Sequence, residues 1–165
     1  MEHEGGFVNN PHDNGGATKF GVTQGVLQDW RRRTNPKAIV TADMVKALKI
    51  EEAQDIAKFL YWDKIGGDLL PTGVDYAVFD WAYHAGPDRP ARALQMAVKV
   101  PVDGMIGPMT VRAAQRVEAK KVIAAISVTR LEHLMRLADW KHFGRGWKRR
   151  VLEVSAEAIA QAYGA

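Results

Sequence analysis

The sequence predicts a mainly α protein: a helical bundle around one buried central helix, with a small irregular or β-hairpin lobe near the N-terminus. Three observations lead there. From Thr23 onward, apolar residues recur at three- and four-residue spacing with little interruption. The stretch from Val74 to Ala85 is apolar on nearly every side, as a helix packed all round must be. The segment before Thr23 lacks this period and carries the turn-forming runs Asn9-Asn10-Pro11 and Asp13-Asn14-Gly15-Gly16 instead.

Taken in order, Phe20 and Val22 alternate with Lys19 and Gly21, so a short strand or hairpin is expected there. Thr23 can cap a helix reaching about Arg33, stopped by Asn35-Pro36. Thr41 can cap a second, and Ala53, Ile56, Ala57 and Leu60 make the stripe of a third that ends at Gly66-Gly67. Pro71 opens the central helix, where Val74, Ala77, Val78, Trp81, Ala82 and Ala85 form a wide apolar face and Tyr76, Phe79 and Tyr83 complete the circumference. Asp88 followed by Pro90, and then Gly107-Pro108, each mark a further helix start. A long helix is expected from about Lys120 to Lys141, with Ile123, Ile126, Leu131, Leu134 and Ala138 inward, and a last one from about Trp147 to Tyr163. No internal repeat, low-complexity stretch or linker interrupts the pattern.

At 165 residues the chain can bury one substantial core but not two comfortable domains, and 47% hydrophobic with 25% charged residues excludes disorder. The absence of cysteine excludes disulfides and thiolate metal sites and leaves the compartment open. His3, His12, His133 and His142 have no metal-ligand spacing, so neither metal nor cofactor is expected. No apolar run approaches a membrane span, and the first residues do not read as a signal peptide. The net charge of +4 favours a polyanionic partner, whether nucleic acid, anionic membrane or an acidic wall polymer.

The chemistry concentrates in the irregular segment. Glu4-Gly5-Gly6 alone reads as an exposed carboxylate at a chain end, and Asp13 alone as a turn former beside Gly15-Gly16. Held together by one glycine-rich loop, with Thr18 and the step Gly21-Val22-Thr23 following, they suit cleavage of a glycosidic bond. That reaction needs one carboxyl kept protonated to serve the leaving oxygen and one kept ionised to orient water or stabilise positive charge on the sugar. A glutamate acting as the acid near neutral pH needs its pKa raised by roughly two units, about 2.7 kcal/mol, by burial or by a neighbouring carboxylate.

These residues, in the order Glu4-Gly5-Gly6-Phe7, Asn9-Asn10-Pro11, Asp13, Gly15-Gly16-Ala17-Thr18 and Gly21-Val22-Thr23, resemble the signature of the family-108 glycoside hydrolases, N-acetylmuramidases of bacteria and phages. The spacing of Glu4, Asp13 and Thr18 is also similar to the Glu/Asp/Thr triad of phage lysozymes. Further blocks follow: Phe79-Asp80 with Gly86-Pro87, then Asp103-Gly104-Met105-Ile106-Gly107-Pro108-Met109-Thr110, which also resembles peptidoglycan-binding repeats, then Arg130 and Phe143, Gly146-Trp147 and Arg150. The resemblance implies a lysozyme-like fold, with residues 1–86 as muramidase catalytic region and 87–165 as a peptidoglycan-binding-like helical region packed with it into one compact unit. It implies Glu4 as general acid, with Asp13 and Thr18 managing the water; Asn10, Thr23, Asp80, Tyr83 and His84 are the candidate substrate contacts.

Two departures stand out. The family places a helical turn or more ahead of the glutamate, where this chain has Met1, Glu2 and His3, so the natural start is expected upstream and Glu4 is expected to lack part of its support. His84 stands where many members carry asparagine; both can bond a sugar hydroxyl or acetamide, and histidine adds a proton that exchanges near neutral pH.

Other side chains admit two readings. Trp62, Trp81, Tyr83 and Trp147 could stack on sugar faces, yet aromatics at helical spacing are ordinarily core, the role expected of Trp147. Asp80 on an apolar helix is either a bonded structural carboxylate, the favoured role, or a second site carboxylate. The Asp103–Thr110 element is first a glycine turn with proline in the first helical turn, and beyond that a wall contact. The cluster Lys141, Arg145, Lys148, Arg149 and Arg150 is first a solvated face, and beyond that an attractor of wall anions.

The resulting expectation is a monomeric lysozyme-type hydrolase of the β-1,4 bond between N-acetylmuramic acid and N-acetylglucosamine, acting on peptidoglycan strands at the cell wall, with no nucleic-acid partner. Carboxyls about 6.5–9.5 Å apart go with inversion and about 5–5.5 Å with retention, which sequence spacing leaves open. The rivals are a lytic transglycosylase, which uses no water, and a non-catalytic wall-binding or secretion-associated module. A basic helical nucleic-acid binder is a weaker rival, since no helix-turn-helix signature is present.

Overall fold

The computed structural model describes residues 6–9 and 16–164. Among them are eight α-helices and one two-stranded sheet, so the chain is mainly α with its β structure near the N-terminus, as expected. The chain forms two compact units, Met1–Phe59 and Leu60–Ala165.

In the first unit, β1 (Thr18–Lys19) and β2 (Val22–Thr23) pair antiparallel, Thr18 opposite Thr23 and Lys19 opposite Val22. The two turn residues between them, Phe20 and Gly21, have φ of 53° and 76°. Positive φ at both positions gives the twist that a two-residue hairpin needs, and it is costly for the bulky Phe20. Lys19 offsets that cost by anchoring the hairpin: its Nζ donates to the carbonyls of Lys46 at 2.7 Å and Leu48 at 2.9 Å. The hairpin runs directly into α1 (Gln24–Arg32), whose first turn is capped by the Thr23 hydroxyl accepting from the Val26 N–H at 3.3 Å. Thr41 caps α2 (Ala42–Lys46) in the same way. Then α3 (Ile50–Ala57) continues into a wider π-helical turn over Lys58–Trp62. Leu27, Val45 and Ile56 are fully buried. Trp30 and Phe59 pack ring to ring, with the Arg33 guanidinium over both.

The second unit is built on α4 (Val74–Ala85), the expected central helix. It packs against α5 (Asp88–Ala97), α7 (Ala119–Met135) and α8 (Trp140–Tyr163), with α6 (Pro108–Arg116) closing on α5 and α7. Val74, Val78 and Trp81 of α4 meet Leu94, Ile123, Ile126 and Ala158 in one apolar cluster. Each such large side chain contributes about 1.5–3 kcal/mol on burial. Gly73, at the start of α4 with φ of 84°, lies close against α8: a Cβ there would overlap the Ala158 carbonyl.

One boundary differs from the expectation. The long helix stops at Met135 rather than near Lys141, and the last begins at Trp140 rather than Trp147. The reversal falls on Arg136-Leu137-Ala138-Asp139, a run without glycine or proline, closed by tightened three-residue bonds from Arg136 N–H to His133 and from Leu137 N–H to Leu134. Ala138 is therefore exposed in the turn instead of facing inward. The hairpin allows α7 and α8 to lie along one another, α8 burying Val151, Val154 and Ala158.

Two glycines should respond in opposite ways. Gly73→Ala imposes both overlap and a disfavoured φ and should lower stability by at least ~1–3 kcal/mol. Gly146→Ala, at an exposed position of α8 with nothing within 4 Å of the added carbon, should raise it by about 1 kcal/mol. Urea midpoints of the two variants check both signs.

Candidate functional site

Of the sequence-derived site residues, Glu4, Asn10 and Asp13 lie outside the described residues. Thr18 and Thr23 lie in the first unit, facing each other across the hairpin. Thr18 also pairs on its other side with Val8, N–H to carbonyl in both directions at 2.9 and 2.8 Å. This bridge pairs Val8, four residues after Glu4 in the sequence, with Thr18, five residues after Asp13. The Thr18 hydroxyl donates to the Gly16 carbonyl at 3.3 Å, which leaves its oxygen lone pairs as acceptors. The Thr23 hydroxyl is committed to capping α1.

Asp80, Tyr83 and His84 are brought together in the second unit by consecutive turns of α4. Asp80 is buried at 6% exposure, and both its oxygens are taken: Arg130 of α7 donates to Oδ2 at 2.6 Å and Arg150 of α8 to Oδ1 at 2.7 Å. Burial alone would push the Asp80 carboxyl up, but the hydrogen bonds and charges of Arg150 and Arg130 outweigh it and hold the group below the ordinary carboxylate value. Arg130 Nε is buried with no hydrogen-bond partner among the described residues, so this guanidinium relies on the carboxylate for its compensation. Arg150, grouped by sequence with the solvated basic cluster, instead points to a buried acid.

His84 follows Asp80 by one turn, and its Nδ1 lies 2.6 Å from the Asp80 carbonyl. A carbonyl only accepts, so Nδ1 carries the hydrogen and Nε2 is the acceptor of the neutral ring. Around it runs an aromatic edge. Tyr83 meets His84 edge-on at 5.4 Å and Tyr61 at 5.2 Å, while Phe79 meets Tyr83 at 6.1 Å and Trp62 at 5.5 Å. Trp62 lies flat on Gly67, where any Cβ would overlap its ring, and its Nε1 donates to Asp68 at 2.8 Å. Tyr61, Trp62, Phe79 and Tyr83 are half-buried and His84 is exposed. Tyr61 was not singled out by sequence. The signal was its adjacency to Trp62 in the π-helical turn, which lets neighbouring rings meet Tyr83 and Phe79, one turn apart on α4. Trp81, in contrast, is core at 2% exposure, and Trp147 is half-buried against Phe143 and Trp140.

The element Asp103 to Thr110 is organised by Gln95, 1% exposed on α5. Its amide donates to Asp103 at 2.6 Å and to the Met105 carbonyl at 3.0 Å, and accepts from the backbone of Asp103 and Gly104. Gln95 and the Met105 N–H hold the Asp103 carboxyl below its ordinary range. Among the described residues no group of three or more His, Asp or Glu could hold a metal, and no helix is long and apolar enough to cross a membrane.

Residues 1–86 match the family model "Glycosyl hydrolase 108", and residues 89–152 match the "Predicted Peptidoglycan domain". Among solved structures, SagA of Brucella abortus is 40% identical and superposes with a TM-score of 0.82, over 96% of this chain and 88% of that one. No curated protein matches.

The Asp80 cluster generates a pH prediction. Its folded pKa is depressed, so its stabilisation is fully present above the ordinary value of about 3.9 and is lost as pH falls through the lower folded value. Asp80→Asn should cost ~3–5 kcal/mol at neutral pH, because it strands the charge of Arg130. Denaturation curves should then show the gap between variant and wild type narrowing below about pH 4. A gap that stays constant on acidification would contradict the assignment.

Proposed function

The chain belongs to the glycosyl hydrolase 108 family and carries a peptidoglycan domain, and on that footing we propose that it is an N-acetylmuramidase. It hydrolyses the β-1,4 bond between N-acetylmuramic acid and N-acetylglucosamine in the peptidoglycan of bacterial cell walls. Residues 1–86 form the catalytic region and 87–165 the wall-binding region. The observation that carries this reading is the Val8–Thr18 bridge. It pairs Val8, four residues beyond Glu4 in the sequence, with Thr18, five residues beyond Asp13, and so supplies a backbone anchor in the segment that carries the family signature.

In this mechanism Glu4 is the general acid, delivering its proton to the glycosidic oxygen as the bond to the muramic sugar breaks. Asp13 stays ionised and either orients the attacking water or stabilises the oxocarbenium-like transition state. Thr18 offers its hydroxyl oxygen as an acceptor for that water, and Asn10 and Thr23 are the further substrate contacts proposed from the same sequence segment. The half-buried rings around Tyr83 take the apolar face of a sugar, and His84 Nε2 accepts from a sugar hydroxyl or acetamide N–H. Asp80 serves substrate by holding His84 through its carbonyl and by fixing the helix on which Tyr83 stands.

Glu4→Gln keeps the shape and removes the proton, so release of reducing ends from purified walls should fall roughly 100- to 10,000-fold; retained activity would remove Glu4 from its role. Tyr83→Ala should act differently, raising KM about two- to tenfold through loss of stacking, with a smaller change in kcat. Steady-state kinetics on soluble glycan strands separates the two.

A further inference from the structure

Among the described residues the core holds no sulfur. Its buried apolar side chains are alanine, valine, leucine, isoleucine and one tryptophan, Trp81, and the chain has no cysteine. All five methionines among the described residues lie at the surface instead: Met44, Met96, Met105, Met109 and Met135, between 49% and 71% exposed. Leucine, by contrast, divides between the two places, with Leu27 and Leu94 fully buried and Leu69 and Leu152 well exposed.

Neither packing nor local structure accounts for this partition. Methionine ordinarily ranks with leucine and valine among buried residues, and leaving one in water forgoes about 1.5–3 kcal/mol. Met44, Met96, Met109 and Met135 stand on helices, where lysine, glutamate or glutamine would support the helix equally. Met105 precedes α6, and its place is set by its backbone. Its N–H donates to Asp103 Oδ1 at 2.8 Å, and its carbonyl accepts from Gln95 at 3.0 Å. Its side chain, the most exposed of the five, has no part in those bonds.

What sets methionine apart from other surface residues is a nucleophilic thioether sulfur. With a hypohalous acid such as hypochlorous acid, the net step transfers one oxygen to that sulfur. A sulfur–oxygen bond forms, the oxygen–chlorine bond breaks, and chloride and a proton leave; sulfur is oxidised to the sulfoxide as chlorine is reduced to chloride. In a core the polar sulfoxide disrupts packing, whereas at these five positions it stands in water. We propose that the surface methionines are a trap for hypohalous oxidants, consumed ahead of the half-buried tryptophans Trp30, Trp62, Trp140 and Trp147. Sulfoxides are reduced enzymatically, so the trap is renewable.

The test adds hypochlorous acid to the full chain in increments, following peptide masses and tryptophan fluorescence together. Each of the five methionines should gain the mass of one oxygen before any tryptophan is modified. The melting temperature should stay within about 2 °C of the untreated protein, as for other surface changes. Replacing all five by leucine, a volume-conserving change, should lower the dose that halves the fluorescence at least ~twofold. Methionine sulfoxide reductases should restore the original masses, and the repaired chain should absorb the same dose again. Tryptophan loss in step with methionine, an unchanged dose in the leucine variant, or unfolding of the sulfoxide form would each overturn the trap. The order of oxidation is read on the unsubstituted chain, so a leucine variant that folds poorly leaves the test decisive.

Discussion

The second unit depends on one buried carboxylate shared by two guanidiniums. Asp80 stands on the central helix, and its bonds of 2.6 and 2.7 Å to Arg130 and Arg150 fix α7 and α8 to it at a single point. Such a cluster adds little net stability over an apolar core of the same volume, since removing three charges from water costs about what their attraction returns. The driving force comes from Val74, Val78, Trp81, Ile123 and Ile126, buried in the same layer. What the charges supply is register. Apolar faces tolerate a slide of one residue, but a slide here would leave a carboxylate or a guanidinium buried without its partner. The residues that flank Asp80 on α4, Phe79, Tyr83 and His84, inherit that register, and with it the placement of the aromatic edge.

Much of this was legible in the sequence wherever a local chemical cause decides the structure. Thr23 and Thr41 mark their helix starts because a hydroxyl can serve an unpaired N–H, and Gly107-Pro108 marks α6 because proline suits the first helical turn. The all-round apolar character of α4 identified the buried helix. The turn at 136–139 was not legible, because it contains no glycine or proline and results from the packing of α7 along α8. Arg150 was hidden by its neighbours: beside Arg145, Lys148 and Arg149 it reads as one more solvated cation, and only the fold brings Asp80 within 2.7 Å of it. Arg130 offered a clearer signal, since a cation on the apolar stripe of Ile126 and Leu134 requires a buried acid.

The candidate chemistry divides in the same way. The spacing of Glu4, Asp13 and Thr18 resembled a glycosidase signature, and the family match places the chain in glycosyl hydrolase 108. The backbone device around that segment was not readable from residue types. Thr18 is paired on both sides, to Val8 and to Thr23, and Lys19 ties the same hairpin to the end of α2. A strand held on both sides and tied down by a lysine bond is a fixed piece of backbone, which residue types alone do not announce.

The central claim is hydrolysis at the muramic sugar, and the products test it most directly. Purified peptidoglycan digested with the chain and analysed by mass spectrometry should yield muropeptides ending in reducing N-acetylmuramic acid, each carrying the mass of one added water. Products closed as 1,6-anhydro sugars would contradict hydrolysis in favour of transglycosylation, and glycan strands left uncut would contradict catalysis itself.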